Sequence, residues 1–430
     1  METWLPGLLI LIVVMFAGVP IAMAMAAVGG LGLAAMLGIG PALAIVGQTT
    51  FDTGLSYSLS VVPLFVLMGN LVTRAGLSDE LYAACHAWLG HRRGGLAMAT
   101  AVACGGFSAV CGSSLATAAT MGKVALPQMR RYRYDDGLAS GVIAAGGTLG
   151  ILIPPSVILV LYGVTAQQDI ARLFIAGIVP GILGILGYMA AVRITCWRNP
   201  AAGPPAERML YAARFKALWG VSGIVGLFVL VIGGIYTGAF TATEAAGIGA
   251  SGAFVIALFR GRLTLRSLLE TLADTAATTT MMFMVLIGAL IFSNFVNIAG
   301  LPSALAGFAR ASELPAPVIL GCILLVYLCL GMVLESLSMV LLTVPIFAPV
   351  MAALGYDLVW FGIVVVVVTE ISLITPPVGL NVFVLKSVLP DVPLSTIFRG
   401  VLPFVAADIV RLALIVVVPG LVLFLPDLMR

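Results

Sequence analysis

The chain has 430 residues, of which 61% are hydrophobic and only 9% charged, with a mean hydropathy of +1.18. This excludes an ordinary soluble domain, in which about a quarter of residues are charged, and marks an integral membrane protein. The net charge of +3 is too small to indicate nucleic acid, so the positions of Lys and Arg say more than their sum.

Continuous apolar segments run over residues 5–37, 51–73, 95–129, 138–168, 171–195, 217–235, 238–259, 277–299, 316–351, 359–389 and 400–425. Runs of this kind predict membrane-spanning helices, since open sheets leave unpaired backbone in lipid and outer-membrane barrels read as short alternating strands. The first segment lacks a basic flank and a small-residue cleavage site, which predicts a retained span rather than a signal peptide. It reads as one long tilted helix or as two short spans broken at Gly18–Pro20, and the side of the N-terminus stays open.

Segment 95–129 is flanked by "HRRGG" and by "MRRYRYDD", so both of its ends are expected on the cytoplasmic side. With a polar "CGSS" (Cys111 to Ser114) at its middle, it reads as a re-entrant hairpin. Each limb of about 16 residues reaches about 24 Å, which places the tip deep in the membrane. Segment 316–351 has only Arg310 near its ends and "GMVLESLS" at its middle, which predicts a second hairpin entering from the opposite face. The six cysteines show no metal-ligand spacing and read as buried free thiols.

The chain also repeats itself. Ser113 to Asp135 aligns with Glu335 to Asp357 at one offset, 335 − 113 = 222, pairing Ser114 with Ser336, Pro127 with Pro349 and Asp135 with Asp357. Carried onward, it lays "ILIPPS" on "LITPPV", pairing Pro154 with Pro376. Upstream, "NLVTRAGL" (from Asn70) matches "NFVNIAGL" (from Asn294) at an offset of 224. Hairpins entering from opposite faces make the halves an inverted repeat, the architecture of secondary transporters. A Pro pair removes two N–H donors and disfavours helix before it, so the helices are predicted to unwind at Ile153 and Thr375. Freed carbonyls suit a cation, and each new helix N-terminus suits an anion.

Around the tips and breaks lie Gly112, Ser113, Ser114, Gly146, Gly147, Thr148, Gly150 and Ser156 in the first half. The second half supplies Gly331, Ser336, Ser338, Ser372, Thr375, Gly379 and Asn381. Hydroxyl and carbonyl oxygens of this kind predict two similar hard-cation sites, one per half. Glu335, Glu370, Lys123 and Lys386 are the most conspicuous ionisable groups near the hairpins and breaks; Lys386 reads as snorkelling to the cytoplasmic surface. Glu244 with Thr241 has capping-box spacing. "TMGKV" lacks the glycine and hydroxyl residues of a phosphate loop, and His86 and His91 are far from any nucleophile, so neither a nucleotide motor nor an intramembrane enzyme is indicated.

The motifs "GSSLATAATMGKVALPQM", "GGTLGILIPPS", "GIYTGAFTATEAAG" and "EISLITPPVGLNVFVL", in this order, resemble the large membrane subunit (DctM type) of tripartite ATP-independent periplasmic (TRAP) transporters over essentially the whole chain. The resemblance implies an all-α polytopic protein of the ion transporter superfamily, with inverted repeats that each hold a re-entrant hairpin and a broken helix and work as an elevator. It implies a bacterial inner-membrane importer of organic acids such as dicarboxylates, 2-oxo acids or sialic acid, driven by Na⁺ at about two sites. The implied partners are a separate small four-helix subunit (DctQ type) and a periplasmic substrate-binding protein. The implied sodium sites fall around Gly112, Ser113, Gly150 and Pro154, and around Gly331, Ser372, Thr375 and Val378. The implied substrate site lies between them, near Ser114, Ser156, Ser336 and Asn381. The anion is expected on helix N-termini and hydroxyls, because Arg is scarce at depth. The expected division is a first repeat at 1–200, a cytoplasmic linker at 201–216 and a second repeat at 217–430, with amphipathic arms at 78–90 and 262–276.

Overall fold

The computed structural model describes residues 4–311 and 314–429, and within them the only regular secondary structure is helical. The first half contains α1 (Trp4–Phe16), α2 (Ile21–Leu37), α3 (Ile39–Leu55), α4 (Val61–Arg74) and α5 (Leu77–Leu89). It continues with a hairpin of α6 (Gly95–Cys111) and α7 (Ser114–Arg131), a broken helix of α8 (Asp136–Thr148) and α9 (Val157–Thr165), and α10 (Ile170–Arg198). The second half contains α11 (Tyr211–Tyr236), α12 (Ala242–Phe259), α13 (Leu265–Ile298) and α14 (Leu301–Ala311). A second hairpin follows, α15 (Ala316–Gly331) and α16 (Ser336–Ala353), then a second broken helix, α17 (Leu358–Ile374) and α18 (Leu380–Val388), then α19 (Leu394–Val417) and α20 (Gly420–Leu428). Among the described residues, seven helices are long and apolar enough to cross a membrane.

Local chemistry sets the main boundaries. Asp135 caps α8 by accepting from the Leu138 N–H at 2.9 Å, and its repeat partner Asp357 caps α17 by accepting from Val359 at 2.7 Å and Trp360 at 3.0 Å. The capping box at the start of α12 is formed, with the Glu244 carboxylate accepting from the Thr241 N–H at 2.8 Å and the Thr241 hydroxyl from the Glu244 N–H at 3.3 Å. Gly18, with φ +86, and Pro20 break segment 5–37 into two helices.

The structure corrects several sequence expectations. Residues 39–50, which fell outside the apolar segments, belong to α3. Segment 400–425 divides at Pro419. The arm expected at 262–276 is instead the leading end of the continuous 34-residue α13. The counterpart of α5 is α14, because the offset of 224 that pairs Asn70 with Asn294 also lays Leu77 on Leu301, where α14 begins. Cys322 and Cys329 lie exposed on α15 rather than buried, because that limb forms part of the outer surface. The Lys386 ammonium donates to the Pro390 and Val392 carbonyls, 2.8 Å each, and so ties down the chain leaving α18 instead of snorkelling.

The helices pack as two bundles. In one, α13 packs on α2 and α4, α4 on α12, and α11 on α12. In the other, α8 packs on α19, α7 and α6, α10 on α19 and α20, and α17 on α15 and α19. The bundles meet where α4 touches α6 and α13 touches α16, with α5 and α14 packed against hairpin helices α6 and α16.

Candidate functional site

The first hairpin tip sits on the first helix break. Gly112, with φ +65, turns the chain from α6, and Ser113 caps α7 by accepting from the Ala116 N–H at 3.4 Å. On the facing segment α8 ends at Thr148, a 3-10 turn covers Leu149–Ile151, and α9 begins after Ser156. The unwinding therefore starts four residues before Ile153. A Cβ at Gly150 would lie 2.7 Å from the Ser113 carbonyl oxygen and 3.0 Å from the Thr117 hydroxyl, so only glycine lets the two segments close. Pro154 and Pro155 are buried and joined by a cis bond.

The second half makes the same approach with the roles exchanged. α17 unwinds at Thr375 as expected, followed by the cis Pro376–Pro377 pair and by Gly379 at φ +61. Gly331, at the end of α15, is the residue without a side chain here, and a Cβ on it would overlap the Ser372 hydroxyl. The offset of 222 makes Ser372 the counterpart of Gly150. Thus a glycine on the broken helix faces a hydroxyl on the hairpin in one half, and a hydroxyl on the broken helix faces a hairpin glycine in the other. Whereas Pro154 and Pro155 are buried, Pro376 and Pro377 are exposed, with Thr375 and Val378 half-buried.

Ser114 and Ser336 occupy equivalent positions, the first residues of α7 and α16, and both are buried. Asn381, in the first turn of α18 and fully buried, donates from Nδ2 to the Ala144 carbonyl of α8 at 3.1 Å. This bond ties the second break to the first half. The Ser156 hydroxyl donates to the Ile151 carbonyl at 2.6 Å and accepts from the Leu159 N–H at 3.3 Å, so its one proton already holds the break together. The Ser372 and Thr375 hydroxyls likewise donate to the Thr369 and Ile371 carbonyls. These hydroxyls therefore offer lone pairs outward, which suits a cation better than an anion.

Two oxygens remain buried without a hydrogen-bond partner, Thr117 Oγ1 beside Gly150 and Asn381 Oδ1. Neutral oxygens held out of water without a donor are costly unless something electropositive meets them, so this donor set fits a hard monovalent cation. Four helix N-termini, those of α7, α9, α16 and α18, start within these segments, with α16 packed on α9 and α18 on α7. Such ends favour negative charge. Beside the second tip, a cavity of about 550 Å³ reaches Glu335 and Ser338 from the other bundle, lined there by Pro20, Met281 and Met284.

The family model of the tripartite ATP-independent periplasmic transporter DctM component matches residues 8–421. The chain belongs to the DctM family. The C4-dicarboxylate TRAP transporter large permease protein DctM of Pseudomonas aeruginosa is 37% identical over 380 residues, covering 88% of each chain. The sialic acid TRAP transporter large permease protein SiaM of Vibrio cholerae is also 37% identical over 380 residues, covering 87% of each. The fold is that of the YdaH transporter of Alcanivorax borkumensis, with a TM-score of 0.65 and 17% identity over 89% of each chain. This DctM-family chain is therefore a multi-pass membrane protein and the large permease component of a TRAP system, in a family whose members work with a small membrane subunit and a periplasmic binding protein.

Sequence reasoning passed over one feature of the site's surroundings. Directly behind both breaks lies a buried charged network, in which Arg411 of α19 pairs with Glu370 of α17 and, at 2.8 Å, with Asp408. The Tyr188 hydroxyl of α10 donates to Asp408 Oδ2 at 2.7 Å and lies 3.2 Å from the Thr148 hydroxyl at the end of α8. The expectation that Arg is scarce at depth fails at Arg411, which is 4% exposed. The available signal was the Asp408-x-x-Arg411 spacing in an otherwise apolar helix, which puts both charges on one face.

Proposed function

We propose that this chain is the transporting subunit of an inner-membrane TRAP importer that takes an organic acid from a periplasmic binding protein and drives it inward with a sodium gradient. One Na⁺ is held near Gly112, Ser113, Thr117, Gly150 and Pro154, and a second near Gly331, Ser372, Thr375 and Val378. The substrate carboxylate lies between them, at the N-terminal ends of α7, α9, α16 and α18, beside Ser114, Ser336 and the Asn381 amide, while Ser156, whose one proton goes to the Ile151 carbonyl, holds the start of α9. The observation that carries this reading is the pair of hairpin tips, each closed on a broken helix, at Gly150 in one half and at Ser372 in the other, with the buried, unpartnered Thr117 oxygen beside the first. The cation and the anion stabilise each other across the breaks, which couples their binding.

The packing supports an elevator movement. The hairpins, broken helices, α10 and α19 travel as one body against the bundle of α1–α4 and α11–α13, in an elevator whose linking arms are α5 and α14. The halves correspond to residues 1–200 and 217–430, inverted in the membrane and joined through 201–216. The unequal exposure of the two Pro pairs fits one end state of such a movement. The 37% relatives are named for C4-dicarboxylates and sialic acid, which supports an organic-acid substrate.

The test is uptake into proteoliposomes containing this chain and its small subunit. Candidate binding proteins loaded with radiolabelled dicarboxylates, 2-oxo acids or sialic acid are added outside. Uptake is expected only with an inward sodium gradient and all three components. Uptake that ignores sodium, or that proceeds from the free acid without a binding protein, as in a stand-alone symporter, overturns the reading.

A further inference from the structure

The proposed cation sites contain no carboxylate ligand, and the network behind them supplies what they lack. Glu370 is 0% exposed, Asp408 1% and Arg411 4%. With both carboxylates ionised, two carboxylates and one guanidinium leave one negative charge in excess. Among the described residues these three groups form ion pairs only with one another. From the other elements packed here, α8 contributes the Thr148 hydroxyl and α10 the Tyr188 hydroxyl, both neutral. Asp427 of α20 is paired with Arg172, and Lys386 of α18 is turned onto carbonyls beyond that helix's end. Glu370 Oε1 is buried and accepts no hydrogen bond, Asp408 Oδ1 has only its ion pair with Arg411, and Arg411 Nε and Nη1 donate none. An excess charge sealed in an apolar interior persists only if a counter-charge stands close by.

Position identifies where the counter-charge stands. Glu370 precedes Ser372 by two residues on α17, and Thr148 precedes Gly150 by two residues at the end of α8. The offset of 222 makes Thr148 and Glu370 repeat partners, so the network adjoins the second break through Glu370 itself and the first through Thr148 and the Tyr188 hydroxyl. Arg411 reaches it across α10, where its Nη1 fills the space that a side chain at Gly184 would take. We propose that the Glu370–Asp408–Arg411 network is the fixed counter-ion of both cation sites: its single net negative charge lets Na⁺ bind among neutral oxygens. Glu370 and Asp408 are positioning charges that act through the field and touch neither ion. In a water-poor interior such a charge acts across several ångströms, and the charge count sets the sign of its effect.

This inference rests on the sodium reading above, and the experiment separates the two. The complex in lipid nanodiscs is unfolded thermally across a titration with NaCl, with KCl replacing it at constant ionic strength. The wild type is expected to show stabilisation specific to Na⁺, with a half-saturating concentration that serves as the reference. Asp408→Asn makes the network neutral and is expected to raise that concentration about tenfold, with Asp408→Glu restoring it. Arg411→Gln deepens the negative charge and is expected to lower it. If Arg411→Gln does not fold, the double variant Asp408→Asn/Arg411→Gln, again one charge negative, is expected to return to within about threefold of the wild type. Loss of packing alone moves every variant in one direction, whereas the counter-ion role moves them in opposite directions and is rescued by charge. An Asp408→Asn curve that matches the wild type, or a double variant no better than Asp408→Asn, overturns the inference. A wild type that does not distinguish Na⁺ from K⁺ overturns the sodium reading itself.

Discussion

The Asn70 amide of α4 donates to the Thr275 hydroxyl of α13 at 2.9 Å, and the exchanged pair is also present, with the Asn294 amide of α13 donating to the Thr49 hydroxyl of α3 at 3.1 Å. Asn70 and Asn294 head the matching repeat motifs, and Thr49 and Thr275 are 226 residues apart, close to the offset of 224 between the asparagines. Each half thus gives an amide to the other and receives one back, the reciprocity expected of a two-fold axis through this bundle.

These bonds stabilise the bundle built on α3, α4 and α13. We expect Asn70→Ala and Thr275→Ala each to cost about 0.5–1.5 kcal/mol, with a coupling of about 0.6 kcal/mol in the double-mutant cycle. Reversible unfolding in mixed detergents measures it, and strictly additive losses would remove the bond from the account of stability.

Exchange of glycine and hydroxyl between the halves gives a second prediction. Gly331→Ala pushes a methyl group into the Ser372 hydroxyl and is expected to lower thermal stability measured without sodium, while adding Ser372→Gly relieves the overlap and recovers a substantial part of that stability. Gly150→Ala meets the Ser113 backbone carbonyl, which cannot be trimmed, so no single side-chain deletion at the first tip is expected to rescue it. Equal failure of the Gly331→Ala/Ser372→Gly pair would contradict the steric account.

Thr117→Val removes an oxygen that has no hydrogen-bond partner while keeping the shape of the side chain. Stability without sodium is expected to hold or rise slightly, because an unsatisfied buried polar atom is lost. On the proposed sodium site, the sodium concentration for half-maximal uptake is expected to rise roughly tenfold. An unchanged sodium dependence would take Thr117 out of the site.

Acid is expected to loosen the open end of the first hairpin, away from its tip. Arg130 pairs with Asp391 at 2.7 Å and Asp136 at 3.1 Å, joining α7, α8 and the loop after α18, and its hydrogen bond holds the Asp391 carboxyl below the usual carboxylate range. A carboxyl depressed in the folded state adds stability above its unfolded pKa and loses it as pH falls through the folded one. The pair is exposed, so the effect is small and screened by salt. Melting temperatures of the wild type and Asp391→Asn are expected to differ at neutral pH and converge in acid. A gap that persists in acid would mean that Asp391 acts through packing.

Much of this architecture is legible in the chain because its signals are local. Asp135 and Asp357 cap helices wherever they fold, and the Pro pairs interrupt helices whatever surrounds them. The hairpin limits agreed to within a few residues for the same reason. The charged network was not legible, because Arg411 meets Glu370 from 41 residues away and an apolar flank does not tell which helix a charge faces. Helix α14 was missed because its pattern is short, whereas the repeat offset, applied once more, points straight to it. Thr117 lay in plain view inside a quoted motif, but only the folded chain leaves its hydroxyl without a partner.

Where α8 crosses α19, Gly137, Gly141 and Gly400 bring the two backbones so close that a Cβ at Gly141 or Gly400 would strike the opposing main-chain carbonyl. Helices meshed this tightly have no side chains to act as rollers, so neither can slide or swivel along the other. The gearing makes the first break and the Arg411 helix a single mechanical part: whatever displaces one end of α8 carries the charge of α19 with it.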